Sequence, residues 1–96
     1  MTRVVAVITE SVVKCLELLG PVAGQAVEAL RQELEGTPRL GVLRCARGGQ
    51  EVYKTRLERR EGMPGLAVAY LYTLQPPPPA VAIITVTPDD VGDGDI

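Results

Sequence analysis

The chain contains no histidine, phenylalanine or tryptophan, and Tyr53, Tyr70 and Tyr72 are its only aromatic residues. Without histidine, the commonest metal ligand and the commonest general base are both missing. That excludes Ser-His-Asp and Cys-His constellations and removes most metal sites, so neither a metal nor a cofactor is expected. Cysteine is limited to Cys15 and Cys45, which form no CxxC or other ligand spacing and are expected to be buried, reduced thiols. No apolar run approaches the ~20 residues that a membrane-spanning helix needs. The N-terminus lacks a basic segment followed by an apolar block and a small-residue cleavage site, so a cytoplasmic location without a signal peptide is expected. With so few aromatics, the core must be built from Val, Leu, Ile and Ala.

What remains is sufficient for one small domain. The chain has 96 residues, 46% of them apolar, and leaves little room for a second core. We assign residues 1–88 to the domain and 89–96 to an acidic, Gly-rich tail that is expected to be flexible. The charge is unevenly spread. Residues 39–60 hold seven cations (Arg39, Arg44, Arg47, Lys54, Arg56, Arg59 and Arg60) against Glu51 and Glu58, a local net of +5, although the whole chain carries −2. Such a concentration in an acidic protein points to an anionic partner, either nucleic acid or an acidic protein segment.

The hydrophobic period changes along the chain. Residues 3–8 (RVVAVI) are β-branched and read as a strand. Thr9 follows as a candidate helix cap, with Glu10 in the first turn. Val12, Val13, Leu16 and Leu19 then recur as the buried stripe of a helix. Gly20-Pro21 ends that helix and opens a second, whose inner face carries Ala23, Val27, Leu30 and Leu34 and whose wet side carries Glu28, Arg31, Gln32 and Glu35. Beyond Leu40 the period becomes two. Strands are expected over 41–46, 51–59, 66–74 and 80–87, broken by Gly48-Gly49, by residues 62–65 and by a stiff, polyproline-like corner at Pro76 to Pro79. The fold class is therefore α+β: an N-terminal strand, a helical hairpin, then a four-stranded antiparallel meander, with the hairpin on one sheet face and the other face open.

Alternation sorts the strand residues between those two faces. Tyr53, Thr55 and Leu57 form the inward set of the third strand, while Lys54 and Arg56 stand on the open face about 7 Å apart. In the next strand Leu66, Val68, Tyr70 and Tyr72 point inward, leaving Ala67, Ala69, Leu71 and Thr73 open. Arg44 can add to the cationic face from the neighbouring strand. Arg47, Arg59 and Arg60 are further candidates for binding RNA or a partner.

This element order, with Val4 to Ser11 at its start, Val52-Tyr53-Lys54-Thr55-Arg56-Leu57 in its basic strand, Gly65 to Tyr70 in the next and Ala82 to Val86 in its last, resembles the RelE/ParE superfamily, the toxins of bacterial type II toxin–antitoxin pairs. The resemblance runs over about residues 2–87. It implies a two-layer sandwich, a toxin function and an antitoxin protein as partner. RelE-like members cleave messenger RNA in the ribosome without a metal, using basic residues of the open face. On that reading Lys54 and Arg56 would be the catalytic pair, positioning the scissile phosphate and stabilising its developing charge. ParE-like members act on DNA gyrase instead, and a non-toxic interaction module of the same fold is the other alternative. The chain departs from the RelE pattern in two places. The position that often carries Arg in the family is Ala67, or Ala69 if Tyr72 sets the register. The end of the last strand reads Thr87-Pro88-Asp89-Asp90, where nucleolytic members place His, Arg or Tyr. The tail acids Asp89, Asp90, Asp93 and Asp95 could instead fold over Lys54 and Arg56.

Overall fold

A computed structural model describes residues 4–89. The expected tail from residue 90 onward lies outside the described residues. The chain runs β1 (Val5–Ile8), α1 (Glu10–Leu19), α2 (Pro21–Gly36), β2 (Val42–Arg47), β3 (Gln50–Leu57), β4 (Leu66–Thr73) and β5 (Ala80–Pro88). No described helix is long and apolar enough to cross a membrane.

All five strands form one sheet in the order β1-β5-β4-β3-β2. The four later strands pair antiparallel with their sequence neighbours, as alternation and the short connections dictate. The sheet as a whole is nevertheless mixed, because β1 lies parallel to β5, with Val5 opposite Ala80 and Ile8 opposite Ile83. A purely antiparallel meander is thereby corrected. The chain passes from β1 through both helices to β2 at the opposite edge and returns strand by strand to β5, so β1 and β5 are far apart in sequence and no short connection forces them to be antiparallel. Gly48 and Gly49, at φ 59° and 82°, form the two-residue β2–β3 hairpin loop, a left-handed pair that only glycine adopts cheaply.

The helices pack over β1 and β5. Ala23, Val27 and Leu34 of α2 and Leu66, Val68, Tyr70, Val81 and Ile83 of the sheet make the core, all fully buried. The burial of β4 alternates residue by residue along its whole length, as the sequence pattern required. In α1 the expected stripe is only partly covered. Val12 is buried, Leu16 and Leu19 are half-buried, and Val13 faces solvent. Thr9 does not cap α1 with its side chain. Its hydroxyl and its amide both donate to the carbonyl of Ile83, at 3.1 and 3.2 Å, tying the helix start to β5 instead. Cys15 is half-buried, its thiol donating to Val86 O at 3.3 Å, whereas Cys45 is exposed. Cys45 lies on an edge strand beyond the helices, so the expectation of two buried thiols fails there. Residues 75–78 form a run of bends, with cis peptide bonds at Gln75-Pro76 and Pro77-Pro78, rather than a straight polyproline segment.

Arg31 does not stay on the wet side of α2. Its guanidinium bonds to Glu28 at 2.7 Å, to Glu35 at 2.9 Å and to the carbonyl of Ala6 at 3.0 Å, fastening α2 to the outer edge of β1. The Arg31 and Gln32 hydrogen bonds hold the Glu28 carboxyl at about 2, well below its ordinary 4.5. A depressed carboxylate contributes stability that is present above its unfolded value and is lost as pH falls through the folded one. Acid unfolding followed by circular dichroism should therefore show a loss between pH 4.5 and about 2 that Glu28→Gln removes. An unchanged acid limb in that variant would show that the Arg31 cluster adds nothing.

Candidate anion-binding groove

The open face carries Lys54 and Arg56 on β3, both exposed, while Tyr53 beside them is buried on the helix side. Three of the predicted cations, Arg44, Lys54 and Arg56, line a single groove of about 440 Å³ whose walls also include Leu40, Val42 and Asp89. Arg44 reaches it from an irregular position. Leu43 pairs with Tyr53 and Cys45 with Val52, so Arg44 is the extra residue of a β-bulge, and bulges re-aim side chains in this way.

The remaining cations are elsewhere. Arg47 borders a separate hollow at the β2–β3 hairpin, at the far end of the sheet. Arg59 and Arg60 lie beyond the end of β3, where Arg60 bridges Met63 and flanks a hollow between α2 and Leu57. Arg39 belongs to the opposite face. Its guanidinium bonds to Glu51 at 3.0 and 3.2 Å and lies 5.2 Å from the ring centre of Tyr72. Tyr53 donates to the same Glu51 carboxylate at 2.7 Å. Arg39, then Tyr53, hold the Glu51 carboxyl below its ordinary range, and burial pushes the Tyr53 phenol up. This cluster covers the tyrosines where the helices stop short and takes Arg39 out of any open-face patch.

Asp89 is the groove's acidic wall. Its amide donates to Gly65 O at 2.8 Å, extending the β4–β5 ladder by a residue. Its carboxylate meets Arg56 Nη1 at 2.7 Å, and Arg56 Nη2 donates to its carbonyl at 3.0 Å. Ala67 lies between the two strands, opposite Arg56 on one side and Thr87 on the other. Its small side chain lets Arg56 lie across β4 to reach Asp89.

Gly41 shapes the floor. Its amide donates to the Tyr70 hydroxyl at 2.9 Å, and a Cβ there would lie 2.5 Å from the Lys54 carbonyl oxygen. Only glycine lets the chain entering β2 approach β3 this closely. Gly41, Leu40 and Val42 carry no site signal in the sequence. A lone glycine before a strand is a weak signal, because the contact that demands it comes from a different strand.

Tyr70 and Tyr72 are buried on the helix side and do not reach the groove, as alternation predicted. Burial raises the Tyr70 phenol above its ordinary value. Among the described residues no cluster of His, Cys, Asp and Glu suited to a metal occurs. Compared with protein families, with curated proteins and with solved structures, the chain finds no match. The RelE/ParE likeness therefore rests on element order and strand residues alone.

What the groove can do chemically is hold an oxyanion between cations from adjacent strands. One carboxylate, that of Asp89, already occupies Arg56. Removing it should free that guanidinium. Asp89→Asn is expected to raise the affinity for a polyanion such as polyuridylate by up to about fivefold, since a solvent-exposed pair is worth at most ~1 kcal/mol. Fluorescence titration at low salt checks this, and an unchanged affinity would place the anion away from Arg56.

Proposed function

We propose that this chain is an anion-binding module of RelE/ParE type, the toxin half of a type II toxin–antitoxin pair, which holds an acidic segment or a phosphate in the Arg44–Lys54–Arg56 groove and acts by binding rather than by cutting. The observation that carries the reading is the convergence of three cations from two strands on one groove of the open face. The order of strand, two helices and four strands supports the family likeness. The pairing of Arg56 with a carboxylate supports an acidic ligand.

Three features favour binding over RNA cleavage. Ala67, or Ala69 if Tyr72 sets the register, stands where a nuclease of the family would carry a further cation. Asp89 places negative charge where a scissile phosphate would sit. Tyr70 and Tyr72, the candidate proton-exchanging groups, are both buried on the helix side of the sheet. The nuclease alternative retains Lys54 and Arg56 as its phosphate-positioning pair, and a non-toxic interaction module retains the same groove.

Expression in a bacterial host tests these readings. Growth arrest with intact cellular RNA is the expected result, relieved by co-expression of an antitoxin from a neighbouring reading frame. Fragmented RNA in the wild type, with RNA left whole by Lys54→Ala plus Arg56→Ala, would establish the nuclease instead. If growth is unaffected, the toxin assignment fails and only anion binding is left to measure.

A further inference from the structure

The two edges of the sheet are treated differently. At β1 the outward amide of Val4 donates to Glu35 O at 3.0 Å and the outward carbonyl of Ala6 accepts from Arg31 at 3.0 Å, so α2 closes that edge. At β2 nothing comparable occurs. Among the described residues its backbone pairs only with β3, and every residue from Val42 to Arg47 is exposed. An uncovered edge is a row of unpaired donors and acceptors, a template for another strand.

Natural edges are guarded by charge and by bulges, and β2 has Arg44, Arg47 and a bulge at Arg44. Those devices do not account for the apolar surface left beside them. Leu40, Val42 and Leu43 are 40%, 65% and 51% exposed. Charge also decides which strand is turned away. A second copy of this chain pairing through β2 would bring two arginines from each protomer onto one short ladder, with no carboxylate on either strand. Like charges in cross-strand neighbours are destabilising. An acidic strand meets the opposite situation.

We infer that the free edge of β2 is a docking surface for an extended segment of another protein in which acidic and apolar residues alternate. The alternation follows from the two faces. Val42 lies opposite Lys54 and Arg47 opposite Gln50 on the open side, where Arg44 also lines the groove. Leu43 lies opposite Tyr53 on the helix side. A sixth strand therefore presents carboxylates toward Arg44, Arg47 and Lys54 and apolar side chains toward Leu43. Main-chain pairing supplies affinity and the alternating side chains supply specificity. The inference shares Arg44 and Lys54 with the groove reading and adds a free edge and two residues, Leu43 and Arg47, that do not line the groove.

The test uses the full chain, isotopically labelled, with a synthetic peptide of alternating glutamate and valine matched in length to β2. The expected result is saturable binding with chemical-shift changes and slowed amide exchange confined to residues 42–47. A peptide of the same composition interrupted by a central proline should bind far more weakly. Arg47→Glu, alone and with Leu43→Asp, should weaken the intact peptide by about tenfold or more, as attraction becomes repulsion at the edge. The inference is overturned if the proline-interrupted peptide binds equally well, if exchange at 42–47 is unchanged, or if sedimentation shows the edge filled by a second copy. Polyuridylate binding, measured in parallel, reports on the groove, so failure at one surface is distinguished from failure at the other.

Discussion

Replacing Lys54 and Arg56 together by glutamate is expected to weaken polyanion binding by about a hundredfold at low salt. Each lost cation–anion pair is worth up to ~1 kcal/mol, and each new like-charge contact costs a similar amount. Screening reduces the sum of four such terms to roughly 2–3 kcal/mol, or about two orders of magnitude. The salt dependence should change with it. For a single-stranded polyanion log K falls by about 0.7 per phosphate neutralised for each decade of salt, so losing two contacts should flatten the slope by about 1.4. Both side chains are exposed on the open face, away from the core, so circular dichroism should hardly change, while loss of the Arg56–Asp89 pair should lower the melting temperature by about 4–8 °C. Arg47→Glu at the far end of the sheet provides the contrast. If that variant lowers polyuridylate affinity as much as the groove pair does, binding follows overall charge and not the groove.

Removing the Tyr70 side chain should come close to unfolding the protein. Tyr70 is fully buried, stacks on Tyr53 with ring centres 5.4 Å apart, and accepts the Gly41 amide at 2.9 Å. Large-to-small substitution at such an aromatic costs about 3–5 kcal/mol. Small domains hold only ~5–15 kcal/mol in total, and each kcal/mol lowers the melting temperature by about 4–8 °C. Tyr70→Ala should therefore melt some tens of degrees below the wild type, by scanning calorimetry. Tyr70→Phe separates the two roles of the ring. It keeps the stack and strands the Gly41 amide, for a loss of about 1–2 kcal/mol. That loss should appear as faster amide exchange at Gly41 and the start of β2, and as a looser groove floor. A phenylalanine variant as damaged as the alanine one would mean that the hydroxyl, not the packing, is decisive.

The legibility of the fold varied with how local its cause was. The strand pattern of β4 and the inward tyrosines followed from alternation, because a pleated strand with one covered face has no other way to place Leu66, Val68, Tyr70 and Tyr72. The Gly48-Gly49 hairpin and the Gly20-Pro21 break between helices were equally visible, since each depends on backbone preferences of the residues themselves. The misplaced cap at Thr9 had a different origin. A hydroxyl at a helix start has several acceptors within reach, and the carbonyl that won, that of Ile83, is remote in sequence. Val13 and Cys45 were expected inside and are not, because the helices and the sheet overlap only in part.

The seven cations between residues 39 and 60 illustrate the same division. By itself the sequence determined that they are concentrated there, that the chain carries no histidine, and that Lys54 and Arg56 share a face opposite to Tyr53. These follow from composition and from a period of two. Only the tertiary structure decided which cations act together. The bulge at Arg44 turned that side chain into the groove, the turn before β2 sent Arg39 to Glu51 on the other face, and the end of β5 carried Asp89 across Ala67 to Arg56. Parallel pairing of β1 with β5 closed one edge of the sheet against α2 and left β2 open. Each of these depends on inter-strand register and on chain ends meeting distant strands, and such contacts leave no periodic trace in the residues that make them.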